Sequence, residues 1–533
     1  MTNADLPVLI VGAGPTGLTA AIELSRLGVD VRLVDKAATA STTSRALGVQ
    51  ARTVELLRPR GVADELLRLG NRVGTTTLHA GGRRLAGIEL HRMASEYNFI
   101  LMLAQSETER LLAERLHQQG VRVERGVEFE SLVQDDERVV VALRHGDGRR
   151  EVLAASYVIA ADGSHSPVRK ALGLPFVGRA LTQNYVLGDL HLSGGLPSDQ
   201  LSIFLGPKGF LAVFPMGSGR FRFMATDPDG LTGDAPEPAL ADIQRLYDRT
   251  AHVEAKLHEL NWSSRFRINS RHMTTLRERR VFFGGDAAHV HSPAGGQGMN
   301  AGIQDMINLS WKLAMVQRGV ARPELLDTYS SDRLPVIREL VAMTERATRV
   351  FNSTSPLAHA LLTRLAPKLL SRSRIQDKAA AGLGQLSVSY RGAPLSAGGG
   401  RLGRLRAGDR VPDLALAEGG LYDLLDLSTM TLFVVGAPHP SSPDQTGAAP
   451  LTRVYRRWGD VITVRHLSSA SDLTGSPAWL LVRPDGQLAA AGSLGDGARL
   501  NRWLDRWLVA PRCAASSSAP SDSDAPAAIG FAG

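Results

Sequence analysis

An α/β fold of several units is what this chain predicts, and three observations carry that expectation. Its 533 residues exceed one ordinary domain and suggest roughly two to four. Near the N-terminus two β-branched apolar runs bracket a glycine turn and a helical pattern, the order of a parallel strand–helix–strand unit. Just past the middle, a third apolar run ends in another glycine-rich turn and again leads into a helical pattern.

The first unit is "LPVLIVGAGPTGLTAAIELSRLGVDVRLVDK". Its opening run reads as a buried parallel strand. Gly12, Gly14 and Gly17 form the pattern G-x-G-x-x-G, Pro15 and Thr16 fall where the helix starts, and Gly28 marks its stop. In this context the glycines serve a tight turn, close backbone approach to a pyrophosphate, and close helix–strand packing. The helix N-terminus adds N–H groups and about half a positive charge toward the diphosphate. An acid about twenty residues further on accepts hydrogen bonds from a ribose. Asp35, followed by Lys36, stands there at the end of the second strand. A Rossmann-like dinucleotide site is expected, with a ligand-free glycine turn as the plainer alternative.

The distant segment is "RRVFFGGDAAHVHSPAGGQGMNAGIQDMINLSWKL". Its helix is predicted to begin near Met299 and to carry Ile303, Met306, Ile307, Leu309 and Leu313 on an apolar side. FAD extends past its pyrophosphate through a ribityl chain to the flavin ring, so it needs a second contact far from the first glycine turn. Asp286, at a strand end, suits ribityl hydroxyls. The sparse side chains around Pro293, Gly296 and Gly298, with Met299 and Asn300 next, suit backbone approach to a flavin edge. The following helix would aim its positive end at the flavin's N1 and O2, an effect of about 0.3–2 kcal/mol.

This combination resembles the class A flavoprotein monooxygenases, the para-hydroxybenzoate hydroxylase superfamily, and most closely its branch acting on phenols, polyketides and chlorophenols. Three further stretches carry the resemblance, in the family's order. "SRALGVQARTVELL" (44–57) is similar to the segment beside the flavin, which places Arg45 in the mobile-flavin region. "QSETERLL" (105–112) is similar to a helix opening whose Gln, here Gln105, contacts the cofactor. "AADGSHSPVRKALG" (160–173) is similar to the Asp-Gly motif whose acid, here Asp162, serves FAD and NADPH binding.

The resemblance implies a Rossmann-like FAD-binding domain with an inserted sheet-based substrate domain and a C-terminal thioredoxin-like domain. It implies that NADPH or NADH, binding transiently, reduces FAD. Reduced flavin then captures O2 as a C4a-hydroperoxide and passes one oxygen to an electron-rich aromatic ring. Activating a phenol needs a base or a cation that lowers its pKa, and the sequence does not single that residue out. Flavin motifs leave a Baeyer–Villiger oxygenase of the same fold open, and a non-catalytic flavin-fold binder more remotely. The W-x-W-x-I-P signature of a halogenase is missing, since Trp262 and Trp311 stand alone. His289 and His291 read as locally packed or hydrogen-bonded, and no metal-ligand spacing accompanies them.

The FAD-binding unit is drawn over residues 1–75, 103–179 and 276–345, and the substrate unit over 76–102 and 180–275. Within the latter, "LSIFLGPKGFLAVFPMGSGRFRFMAT" reads as strands turning at "GPKG" and "GSG". Alternation offers Phe204, Phe210, Phe214 and Met216 as pocket residues, against the blander reading of plain core. Residues 346–395 read as a helical segment and 396–413 as a glycine- and arginine-rich linker. Residues 414–510 carry the thioredoxin-like resemblance, with "RPDG" as a hairpin turn. Its "LAAAG" departs from the family's usual aromatic and Arg, and no cysteine precedes Cys513, which excludes thiol redox work there. A structural or homodimer-supporting role is expected of this unit. Residues 511–533 read as a low-complexity, disordered tail.

Composition narrows the partners. Hydrophobic content of 43% with 21% charged residues is ordinary for a soluble protein. No apolar run is long enough for a membrane span, and the early strand leaves no room for a cleavable signal, so a cytoplasmic address is expected. The net charge of +8 is spread along the chain. Its densest cluster, "RERR" at 277–280, is too short for a nucleic-acid tail. The expected partners are a small aromatic substrate and O2, with no nucleic acid and no metal.

Overall fold

The strand Val8–Val11 lies at the heart of a six-stranded sheet, and all four of its residues are buried. It pairs in parallel with Val31–Asp35 on one side and Tyr157–Ala160 on the other. Parallel neighbours need a crossover, and the helix Pro15–Arg26 supplies the first. Val281–Phe283 extends the sheet beyond Tyr157–Ala160, so both glycine-bearing segments leave the same sheet. The computed structural model describes residues 6–41, 46–206, 208–227, 236–293, 295–353, 355–416, 419–436, 449–467 and 476–510. The tail expected over 511–533 lies outside these residues, as does Arg45.

An eight-stranded sheet forms the second layer. Its order runs His289–Val290, Ala255–Met273, Phe176–Gly194, Arg220–Asp227, Gly209–Gly217, Gln200–Gly206, Thr75–Ala80 and Arg83–Glu89. The 75–102 region joins it through the parallel pairing of Thr75–Ala80 with Gln200–Gly206. One face packs on the helix Leu240–Ala251. The other gathers Tyr185, Leu187, Phe210, Ala212 and Met224, with Phe214, Trp262, Phe351 and Leu362 against them.

Phe204 is a correction to the expected pocket. The hairpin pairs Leu205 with Phe210 and Phe204 with Leu211, so numerical parity changes across the turn. Paired residues point to one face of an antiparallel pair. Phe204 therefore turns with Leu211 toward the helix Leu240–Ala251 and is core. Phe210, Phe214 and Met216 share the opposite face, where Phe214 and Met216 also reach the core of the parallel-sheet unit.

The helix Gly298–Gln317 starts one residue before the expected position and is buried without interruption from Asn300 to Met315. The anticipated single apolar side is too narrow a description. The helix runs against Pro15–Arg26, where a Cβ on Gly302 would come 2.4 Å from Thr16 Oγ1. On another side it meets the turn at Arg483–Gly486 through Asn308, whose Nδ2 donates to Asp485 Oδ2 at 3.1 Å. No side of it is left for water.

Helices follow at Thr328–Phe351, Pro356–Leu370 and Ser373–Leu383, the last two inside the stretch 346–395 read as helical. The stretch 396–413 is not a free tether. Arg401–Leu402 and Leu405–Arg406 form a small hairpin, and Arg410 is buried with Nε donating to Glu55 Oε2 at 2.9 Å. Beyond it a four-stranded sheet pairs Thr431–Val435 in parallel with Thr463–Leu467, and antiparallel with Ala478–Val482, which continues into Leu488–Ser493. The turn between the last two closes with Gly486 N–H on Arg483 O at 2.9 Å, Gly486 having φ +72°. Trp458, Trp503 and Trp507 of this unit share one apolar cluster with Leu27, Trp311, Met315 and Leu325. Among the described residues no helix is long and apolar enough to cross a membrane.

Candidate active site

The first glycine turn is built by three different constraints. Gly12 has φ +104°, and a Cβ there would lie 2.3 Å from Ala161 O. A Cβ on Gly17 would lie 1.8 Å from Gly12 O. Both positions therefore exclude any side chain. At Gly14 nothing lies within 4 Å of the same construction, so open space faces the backbone where the helix begins. Gly14 is the N-cap, Pro15 follows, and no side chain caps the helix. A bare helix start facing open space suits a diphosphate.

Asp35 fixes this turn. Its Oδ2 accepts from Ala13 N–H at 2.7 Å and its Oδ1 from Ala37 N–H at 2.8 Å. Each oxygen retains a second lone pair, so a ribose hydroxyl can still be served. Lys36 beside it is exposed.

The two distant segments converge at Thr16. A Cβ on Gly285 would meet Thr16 Oγ1 at 2.3 Å, and Gly302 lies against the same hydroxyl. Asp286 follows at once, and it is the one exposed residue between Val281 and His289, the rest of that run being buried. Asp162 lies on the other side of the turn, its Cα 3.0 Å from the Gly12 Cβ position. Its Oδ2 accepts from Val168 N–H at 3.1 Å, while Oδ1 is buried without a partner. Burial pushes this carboxyl above the usual range.

A third segment, 46–50, is stapled beside the second glycine cluster. Asn300 Nδ2 donates to Gly48 O at 2.8 Å and to Gly296 O at 3.0 Å, and its Oδ1 accepts from Gln50 N–H at 2.9 Å. Gln50 Nε2 donates to Gly295 O at 2.8 Å. Asn300 thus spends its side chain on the protein. What remains for a flavin here is backbone around Pro293, Gly296 and Gly298, with Met299 half-buried alongside. Gly296 N–H closes on Pro293 O at 2.8 Å, with φ +63° at Gly296. The helix start at Gln297–Gly298 has no side-chain cap. Gln105 supports the same segment from behind, its Oε1 accepting from Ala46 N–H at 3.3 Å and its Nε2 donating to Glu109 at 2.7 Å.

Some residues of the site carry no sequence signal read as functional. Asp305 Oδ2 accepts from Gly285 N–H at 3.0 Å and bonds His289 Nε2 at 2.7 Å, while Oδ1 accepts from Arg333 Nε at 2.7 Å. Burial alone would raise this carboxyl, but Arg333 and His289 hold it below its ordinary value. His289 is therefore a buried partner of Asp305. Burial, with His289 stacked nearby, pulls His291 down to about 4. Arg222, on the same sheet face as Phe214, donates to Asp189 from Nε at 2.6 Å and from Nη2 at 2.7 Å. Its Nη1 reaches Ala46 O at 3.3 Å. A cation buried between the sheet and the 46–50 segment is a feature that strand alternation alone does not announce.

Open space at Gly14, the exposed Asp286 and the unpartnered Asp162 oxygen all lie around one turn, with a bare glycine segment beyond. That donor set fits a dinucleotide whose second half extends toward 293–300, as FAD's does. A flavoprotein oxygenase is the class that such a site and sheet define.

Comparison with known proteins agrees. Residues 5–344 match the family described as an FAD binding domain. The chain is 38% identical to 6-methylpretetramide 4-monooxygenase of Streptomyces rimosus, over 92% of this chain and 91% of that one. It is 32% identical to pentachlorophenol 4-monooxygenase of Sphingobium chlorophenolicum, over 96% and 98%. The structure of OxyS anhydrotetracycline hydroxylase from Streptomyces rimosus superposes with a TM-score of 0.74 at 28% identity, covering 94% of this chain and 99% of that one. The chain belongs to the class A FAD-dependent aromatic hydroxylases and is an FAD-dependent monooxygenase that uses NAD(P)H as co-substrate.

Proposed function

We propose that this enzyme hydroxylates a phenolic or polyketide aromatic ring, bound between the sheet face of Phe210, Phe214 and Met216 and the glycine segment 293–298. The convergence of Gly285-Asp286 on Thr16 of the first glycine turn is the observation that carries the reading. The tetracyclic and chlorophenolic substrates in the relatives' names support the substrate class. FAD, when bound, supplies electron transfer from NAD(P)H and activation of O2.

The chain's own residues bind, orient and exclude. The backbone N–H groups of Gly14 and Thr16 hold the diphosphate, Asp35 with Lys36 faces the adenosine ribose, and Asp286 takes ribityl hydroxyls. Asp162 stands beside the pyrophosphate, Gln105 flanks the flavin segment, and Arg45 is assigned to the mobile-flavin region by the resemblance alone. The Gly298 helix start faces the flavin edge, where its partial positive charge favours an anionic ring. The aromatic face of the sheet displaces water and raises the strength of every polar contact inside. Residues 414–510, whose described residues include a parallel strand pair, an antiparallel hairpin and the helices Ala449–Trp458 and Gly497–Trp507, form a thioredoxin-like unit in this reading. Its work is structural.

Purified protein should be yellow, and NADPH oxidation should rise several-fold with tetracyclic phenols or chlorophenols. With 18O2 the phenolic product should carry one labelled oxygen. A colourless protein that takes up no FAD would overturn the reading, and a lactone product would replace hydroxylation by Baeyer–Villiger oxidation.

A further inference from the structure

The helix Pro356–Leu370 has its apolar residues on two sides. Leu362 turns inward onto the sheet cluster of Tyr185, Phe210 and Phe266, and Ala366 is buried beside it. A surface helix normally shows polar side chains on the opposite side. Here that side carries Leu361, Leu365 and Leu369, exposed by 56%, 43% and 44%. A spacing of four residues lines them up along one helical stripe. Arg364 and Lys368 are exposed in the same outward sector, and Arg372 is exposed just past the helix end. Between Pro356 and Gln376 there is no acidic residue.

We propose that this outward face docks on an anionic lipid surface, the leucines entering the headgroup–acyl boundary and the arginines and lysine pairing with lipid phosphates. Basic residues interleaved with leucines are the chemistry of an interfacial helix, and long cationic side chains bury their stems while keeping their charge in water. A second copy of this chain fits the face poorly. A two-fold contact would set Arg364, Lys368 and Arg372 against their own copies. Three leucines also fall far short of the roughly 800 Å² per partner that a stable dimer buries. The overall charge of +8 favours approach to an anionic surface. Docking there sets the bilayer beside the helix whose inner side covers the substrate sheet, so an apolar aromatic compound dissolved in lipid meets the enzyme where its sheet is nearest.

Vesicle co-sedimentation of the FAD-loaded, full-length enzyme tests this. Vesicles of phosphatidylglycerol and phosphatidylcholine should retain at least tenfold more protein than phosphatidylcholine alone, and 0.5 M salt should release most of it through screening. The variant L361Q/L365Q/L369Q should lose at least tenfold in partitioning, and R364Q/K368Q/R372Q should lose the preference for anionic lipid. Both variants should keep the flavin absorbance spectrum and the melting temperature of the parent. Equal binding of parent and variants to both kinds of vesicle, or none, would overturn the proposal. So would a dimer in solution that the leucine variant converts to monomer, because a second copy would then own the face.

Discussion

The glycine turn at 12–17 and the seam between the helix Gly298–Gln317 and the turn Arg483–Gly486 are both buried, yet they are built in opposite ways. In the turn the glycines answer to steric constraints, Gly12 against Ala161 O and Gly17 against Gly12 O, with Asp35 accepting from Ala13 N–H beside them. The seam is ionic and assembled from residues far apart. Arg483 Nη2 bonds Asp332 Oδ2 at 2.8 Å and Asp485 Oδ2 at 2.5 Å, while Lys312 Nζ donates to the same Asp332 oxygen at 2.7 Å. Burial would raise Asp332, but Arg483 and then Lys312 hold it below its ordinary value. The difference teaches that the cofactor turn is specified by backbone sterics within the first unit, whereas its support depends on the last hundred or so residues having folded onto that unit.

Breaking the seam should cost most. Arg483→Met removes the cation between two buried carboxylates, and losing one partner of a buried pair costs about 3–5 kcal/mol. Urea unfolding with an intrinsic fluorescence probe should show that loss. A change under about 1 kcal/mol would mean that water enters the seam and replaces the guanidinium.

The turn should answer differently at its three glycines. Gly12→Ala and Gly17→Ala drive a methyl into backbone and should destabilise by about 1–3 kcal/mol, with loss of the yellow colour. Gly14→Ala meets open space at φ −75°, so its melting temperature should stay unchanged. FAD titration should nevertheless show affinity about tenfold lower, about 1.4 kcal/mol. Equal FAD affinity for Gly14→Ala and the parent would remove Gly14 from the cofactor path.

Asp286→Ala sharpens the same contrast from the other anchor. An exposed carboxylate outside the packed core should leave stability within about 0.5 kcal/mol. FAD should still be retained less well, several-fold by fluorescence titration. Unchanged occupancy would count against the ribityl contact.

At neutral pH the smallest effect belongs to His291, which shows itself only as a pH slope. Folding holds His291 neutral down to about 4, whereas an unfolded histidine protonates near 6.5. Between these values the unfolded chain binds the extra proton, so stability falls as pH drops from about 6.5 to 4. His291→Gln should flatten that part of the stability–pH curve, measured by urea unfolding at several pH values. An unaltered slope would assign the acid sensitivity to other groups.

Much of the architecture was legible in the sequence. The strand–turn–helix units, the second glycine segment and the hairpin at "RPDG" follow from patterns spanning a few residues, whereas the pairing of Thr75–Ala80 with Gln200–Gly206 spans more than a hundred and no local pattern carries it. Phe204 was misread because the hairpin's register, not residue parity, decides which face a strand residue takes. Asp305, Asn308 and Lys312 recur at helical spacing and so look like a solvated side. Instead, Arg333, Asp332 and Asp485 receive them.

By itself, then, the sequence determined where the backbone must be bare and where apolar runs must pair, because sterics and hydrophobic periodicity act over short separations. Only the tertiary structure decided which polar side chains meet water and which meet one another. Asp189 with Arg222, Asp305 with Arg333 and Asp332 with Arg483 are such choices. A charged residue carries the same solvation cost wherever it is written in the chain. The partner that offsets that cost is chosen by the fold.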